Sequence, residues 1–273
     1  MRRPPHSPLD RARLGAHGAD GVRFEVSEAT PSTNAIASER ARDGAAEGLV
    51  VVTEHQTAGR GRRDRSWETP AGAALTFSVV LRPNLPAGMW PWLPLVTGYA
   101  VTKTLIGAGY PAGVKWPNDV LITSEETGED RKVAGILVER VEAGDGPAAV
   151  VGIGLNTGLS AAELPVATAT SLLIESGVEP DRTDLLLTLV ATLLETYQTW
   201  QLGGPPGHER LAASYAATCV TLGRAVRVEL PGDRTLVGTA TGIDTGGRLV
   251  VAGPDGPTPV GAGDVVHVRP VAG

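Results

Sequence analysis

Cysteine occurs once in these 273 residues, at Cys219, which excludes an intrachain disulfide and any metal site built from several thiolates. Lysine is nearly as scarce, present only as Lys103, Lys115 and Lys132 against an otherwise all-arginine basic set, so each retained lysine invites scrutiny. No apolar run approaches the length needed to span a bilayer, and the N-terminus carries arginines and prolines where a secretion signal needs an apolar stretch. A cytoplasmic protein with no membrane association is expected. The five histidines show no metal-ligand spacing. A net charge of −6 makes the molecule as a whole a poor polyanion binder, so a nucleic-acid role would need a locally concentrated basic face.

The chain is long enough for one large domain, or for a large one and a small one. Residues 1–21 are rich in Pro, Arg and Gly without a hydrophobic period, and are expected to be a flexible extension. Ser32 and Thr33 look like the N-cap of a helix that ends near Gly44. Residues 49–53 and 73–81 read as strands, 92–108 as a helix, and 114–116, 120–123, 133–141 and 148–155 as short successive strands. Strands in a run without a helix between each pair imply an α+β fold with a mixed, largely antiparallel sheet packed with helices. Helices are expected over 183–200 and 208–219, the second after the breaker Gly203-Gly204-Pro205-Pro206-Gly207. Alternating segments from 222 onward predict a small β-barrel-like unit. The division is therefore an extension at 1–21, a catalytic domain at 22–220 and a C-terminal domain at 221–273.

Four constellations can carry chemistry. In Gly59-Arg60-Gly61-Arg62-Arg63-Asp64-Arg65-Ser66-Trp67, glycines allow close backbone approach and four arginines offer forked donors to phosphate or carboxylate. A solvated basic hairpin and a nucleic-acid contact using Trp67 as a stacking face fit that loop alone equally well. It has neither the spacing of a P-loop nor that of a dinucleotide fingerprint. Lys115-Trp116-Pro117-Asn118-Asp119 is a tight polar connection in which an amide suited to an adenine edge stands beside a base or cation ligand, or it is simply a turn. Lys132 opens an otherwise apolar strand that includes Gly135, either solvated or placed to stabilise charge growing on phosphorus. Gly152-Ile153-Gly154-Leu155-Asn156 is a buried strand with room for close approach and a terminal amide. Cys219 has no neighbouring histidine in the sequence and reads as core.

Taken in order, Ser32-Thr33-Asn34, Gln56 through Trp67, Lys115 through Asp119, Lys132 through Leu137 and Gly152 through Asn156 resemble the biotin protein ligase family, and residues 261–265 resemble its C-terminal domain more weakly. The resemblance implies a class II aminoacyl-tRNA-synthetase-like catalytic domain followed by a small SH3-like β-barrel. It implies ATP and Mg2+ as cofactors, biotin as substrate, and a biotin carboxyl carrier domain as the partner that receives biotin on a lysine. Biotin-facing residues would be Ser32, Thr33, Asn34, Gln56, Gly59, Arg60, Arg62, Lys132, Gly135 and Ile136. The nucleotide and adenylate would meet Arg62, Arg63, Arg65, Trp67, Asn118, Lys132 and Asn156, with Arg62, Lys132 and Asp119 carrying catalysis and Asp119 near the metal. The loop departs from the family at Asp64, where glycine is usual, and an acid there could pair with Arg62 or Arg65. Only 31 residues precede Ser32, so ligase activity without operator DNA binding, in a monomer, is expected. The rival readings are a lipoate protein ligase and a nucleic-acid-binding regulator.

Overall fold

The structure is a computed structural model that describes residues 6–17, 21–63, 65–124, 127–232, 234–261 and 263–267. A run of β-branched and apolar residues makes β2 (Leu49–Thr53) and β3 (Ala74–Leu81) buried at every position, and β7 (Ala148–Asn156) is equally enclosed. With β1 (Arg23–Ser27), β4 (Ala112–Lys115), β5 (Asp119–Thr123) and β6 (Asp130–Val141) they form a seven-stranded sheet ordered β1-β2-β3-β7-β6-β5-β4. Only β1 and β2 pair in parallel; the other neighbours are antiparallel.

The pleat gives this sheet two different faces. Phe77, Val79, Val151 and Ile153 belong to the main core, together with residues of α3 (Leu93–Gly107), α5 (Arg182–Leu202) and α6 (Gly204–Thr218). The opposite face is only half covered. Helix α2 (Thr33–Arg42), capped by Ser32, packs Ala37 and Ala41 on Val51, Val80 and Val150. Beyond its N-terminus the sheet is floored by Gly152, Gly154 and Gly135, where the register pairs Ser78 with Gly152 and Gly154 with Gly135. Absent side chains there open the cleft described below.

The C-terminal unit is a five-stranded antiparallel sheet ordered β11-β10-β9-β8-β12, built from β8 (Ala225–Leu230), β9 (Arg234–Ile243), β10 (Leu249–Gly253), β11 (Gly256–Val260) and β12 (Asp264–His267). It docks on the β4–β5 hairpin. Trp116 donates its backbone N–H to Thr221 Oγ1 at 3.1 Å and its indole N–H to the Gly247 carbonyl at 3.1 Å, and its side chain is fully buried.

Residues 6–17 depart from the expected flexible extension. They carry α1 (Arg11–Ala16), capped by Asp10, and bury Leu9 and Leu14 in the main core. A single helical turn and two leucines are too short for a period to register in sequence. β1 and the short α4 (Leu172–Ser176) were likewise unannounced. β11 contains Pro257 and Pro259, which sequence reasoning excludes from a central strand; it is an edge strand, where proline is tolerated. The expected breaker at 203–207 does end α5 at Leu202, with Gly203 as its cap, and its remaining residues supply the first turn of α6, where proline has no intrahelical N–H to lose.

Candidate active site

A cleft with a cavity volume of about 120 Å³ lies over the glycine floor. At one end stand Ser32, Thr33, Asn34 and Gln56. Gln56 Oε1 accepts from Thr33 N at 2.8 Å and from Thr33 Oγ1 at 3.1 Å, which fixes the amide so that its Nε2 is the group left for a ligand. Ser32 Oγ accepts a long 3.4 Å bond from Ala35 N, leaving its proton available. Ser78, which sequence reasoning missed inside its apolar run, lies beneath them: its Oγ is 2.8 Å from Thr33 Oγ1 and 2.6 Å from Asn34 Oδ1. Asn34 itself is spent on the protein. Its Nδ2 donates to Glu139 Oε2 at 2.7 Å and to the Leu137 carbonyl at 3.3 Å, so its amide aligns neighbours rather than offering a free donor.

The other end is built for an anion. Lys132 Nζ is 2.6 Å from Asp119 Oδ1 and 5.7 Å from the centroid of the Trp67 ring. The backbone of Lys132 is held from both sides, its N–H donating to the Thr168 carbonyl at 2.7 Å and its carbonyl accepting from Thr170 N at 2.8 Å. Asn118 Oδ1 accepts from Arg62 Nη1 at 2.8 Å, and Asn118 Nδ2 donates to the Ile136 carbonyl at 3.0 Å. Burial holds the Arg62 guanidinium below the usual arginine range, and Asp264 opposes that shift. Burial also lowers Lys115, with Asp119 opposing and Lys132 reinforcing. Cations that lose water this way gain most from a bound anion.

Residues 59–63 and 65–67 cross the cleft as the two limbs of a small hairpin. Trp67 N donates to the Gly59 carbonyl at 2.9 Å, and Arg60 bridges Ser66. A Cβ at Gly59 would come within 2.2 Å of the Trp67 carbonyl, so only glycine closes this hairpin. The Trp67 indole rests on the floor: a Cβ on Gly154 would lie 2.4 Å from Trp67 Cε2, and one on Gly135 would lie 3.0 Å from Cζ3. The hairpin tip reaches the C-terminal sheet. Arg63 pairs with Asp264 at 3.2 Å and donates to the Glu229 carbonyl at 3.0 Å, Arg65 also pairs with Asp264, and Arg62 Nη2 donates to the Gly263 carbonyl at 3.4 Å. Asp64 lies outside the described residues.

The structure thus gathers Ser32, Thr33, Asn34, Gln56, Arg60, Arg62, Arg65, Trp67, Asn118, Asp119, Lys132, Gly135 and Ile136 around one cleft. Gly59 and Arg63 border a depression on the outer side of the hairpin instead. Ile136 reaches the cleft by backbone, because its Cδ1 packs toward Gly98 of α3 on the far face of the sheet. Asn156 does not border the cleft; its Nδ2 donates to the Thr170 carbonyl at 2.9 Å, supporting the segment that holds Lys132. Besides Ser78, Glu139 and Asp264 are site neighbours that sequence reasoning does not single out, since each meets its partners only through the tertiary fold. Cys219 is buried at the end of α6, away from this cleft.

Residues 26–156 match the Biotin/lipoate A/B protein ligase family, and residues 221–268 match the Biotin protein ligase C terminal domain. The chain is 40% identical over 272 residues to a biotin–[acetyl-CoA-carboxylase] ligase of Mycobacterium tuberculosis, covering 96% of this chain and 97% of that protein. It is 32% identical to a bifunctional ligase/repressor of Bacillus spizizenii, over 90% of this chain and 74% of the relative. The biotin protein ligase of Aquifex aeolicus, solved in complex with biotin and ATP, superposes with a TM-score of 0.76 at 25% identity, covering 90% of this chain and 99% of that one. With this similarity running nearly end to end, the chain belongs to the biotin protein ligase family.

Proposed function

We propose that the protein activates biotin with ATP and transfers it to a lysine of a biotin carboxyl carrier domain, such as that of an acetyl-CoA carboxylase. The observation that carries this reading is one cleft with neutral donors at one end, the Ser32 hydroxyl and Gln56 Nε2, and Arg62 and Lys132 at the other. A cyclic urea offers a carbonyl for those donors, and the attached carboxylate then extends toward the cations.

In the first step a biotin carboxylate oxygen attacks the α-phosphorus of ATP and pyrophosphate leaves. Arg62 and Lys132 would face the charge that develops there. In the second step the acceptor lysine attacks the acyl carbon, the acyl–phosphate bond breaks with AMP leaving, and Asp119 would take the proton that the amine releases. Trp67 would cover the adenine and Asn118 would serve the nucleotide. Among the described residues no three metal-binding side chains cluster, and Asp119 is already paired with Lys132. This donor set fits a Mg2+ that arrives on the phosphates and meets a single protein carboxylate, supplying charge neutralisation.

No helix among the described residues is long and apolar enough to cross a membrane. A monomeric cytoplasmic enzyme without operator DNA binding, divided at about residue 221 into catalytic and C-terminal domains, completes the proposal. Pyrophosphate release from Mg-ATP should require biotin and resist competition by lipoate. Release supported by lipoate instead would keep the acyl-adenylate chemistry and overturn the substrate.

A further inference from the structure

We infer that Glu139 is a positioning residue that ties the urea-binding end of the cleft to the arginine hairpin through one carboxylate oxygen. The inference rests on the biotin reading for its kinetic consequence, though not for its structural one. Glu139 lies on β6 two and four residues beyond Leu137 and Gly135, and so on the face that floors the cleft. Its Oε2 accepts from Asn34 Nδ2 at 2.7 Å and pairs with Arg60 Nη2 at 3.2 Å. Those donors come from different elements, the first turn of α2 and the near limb of the hairpin. No other ion pair of Arg60 occurs among the described residues.

From Glu139 a chain of contacts runs into the cleft. Asn34 Oδ1 and Thr33 Oγ1 share the single proton of Ser78 Oγ, and Thr33 fixes Gln56 with two bonds to Oε1. A Cβ at Gly152 would lie 2.1 Å from Asn34 Oδ1, so the Asn34 amide sits directly against the floor with little freedom to turn. The acceptor at Glu139 sets which edge of that amide faces Ser78. Removing it leaves Asn34 Nδ2 with only the 3.3 Å bond to the Leu137 carbonyl, so the amide loses the charged anchor that holds its Oδ1 on Ser78 and, through Thr33, the setting of Gln56.

The two contacts differ in strength. The bond from Asn34 is charge-assisted and partly enclosed, whereas Arg60 is half exposed and Glu139 about a third, so their pairing is screened by salt. Substituting Glu139 therefore separates two effects. In Glu139→Ala both are lost: the KM for biotin rises about tenfold or more while the KM for ATP stays within about twofold. Glu139→Gln keeps a carbonyl acceptor for Asn34 and restores the biotin KM to within about twofold of the parent, but leaves Arg60 without its counter-charge.

The hairpin effect is read without any substrate, by the rate at which trypsin cuts the unliganded full chain within residues 59–67. That rate should rise severalfold in both variants at low salt, and the parent should approach them as salt increases. A parent-like biotin KM in Glu139→Ala overturns the inference, as does parent-like cleavage in Glu139→Gln. If the parent chain does not turn over biotin at all, the substrate reading fails by itself and the cleavage comparison still decides the role of Glu139.

Discussion

Lys132 and Arg62 converge on the end of the cleft where Asn118 and Asp119 stand, and neither is needed to fill the core. Removing an electrostatic stabiliser of this kind costs about 100- to 1000-fold in rate. Lys132→Ala and Arg62→Ala should therefore slow pyrophosphate release by that order while leaving the thermal midpoint near that of the parent. Unchanged release in either variant would remove that residue from the chemistry. Trp67 gives a second test. Trp67→Ala should weaken ATP about tenfold and biotin much less, the usual scale of base stacking. Gly154→Ala, whose new Cβ meets the indole first, should reproduce that ranking by pushing the ring off its shelf. Calorimetry showing the larger loss for biotin would contradict both.

Much of the site was legible at this scale because its residues sit in contiguous runs, Gly59 to Trp67 and Lys115 to Asp119 above all. Ser78 was hidden in an apolar strand, and Glu139 and Asp264 acquire meaning only from partners 79 to about 200 positions away. Assigning Asn34 to the ligand was reasonable for an exposed amide. In the fold, Leu137 and Glu139 take both of its N–H donors and Ser78 one lone pair of its oxygen.

Between elements, the start of β6 and the C-terminal sheet meet through His267, whose ring lies 3.2 Å from Thr221 Oγ1, 3.3 Å from Arg224 Nη1 and 3.8 Å from Asp130. Burial, then the nearby Lys115 and Arg224 charges, push it down to about 4, with Asp130 opposing. The unfolded chain binds that proton near pH 6.5 and the folded chain only near pH 4. The neutral ring thus stabilises the fold fully above pH 6.5, and its share falls away as pH drops from 6.5 to 4. At most this amounts to about 3–4 kcal/mol. The parent should lose more stability than His267→Gln across that interval in denaturant titrations. Parallel pH profiles would show that the ring is not held neutral.

The elements most visible in sequence were those with strong periods: β2, β3, β6, β7, α3 and α5. Those missed were an edge strand carrying prolines, a short first strand and helices of a turn or so. Their stability comes from neighbours rather than from their own pattern.

At the scale of the whole molecule, residues 6–17 act as a clasp. Arg182, its side chain 3% exposed, pairs with Glu54 at 2.6 Å and donates to the Ser7 carbonyl at 2.6 Å, while Leu9 N donates to the other Glu54 oxygen at 2.6 Å. Glu54 precedes the arginine hairpin, and its carbonyl accepts from Gly72 N beyond it at 2.8 Å, so the clasp steadies both roots of that segment. Deleting residues 1–17 removes two buried leucines and two partners of a buried ion pair, a loss of roughly 4 kcal/mol. A truncated chain with the parent's melting temperature would refute the clasp.

The hairpin therefore has its roots steadied from the N-terminal side and its tip on the C-terminal sheet, over a cleft that joins a site for a cyclic urea to a site for an activated carboxylate. The most direct test is mass spectrometry of the intact chain with biotin and Mg-ATP, first alone and then with an isolated biotin carboxyl carrier domain. The account predicts that biotinyl-adenylate forms and that the carrier domain gains a single biotinyl mass on its lysine. Neither adenylate nor a heavier carrier domain, from a chain shown to be folded, would contradict it.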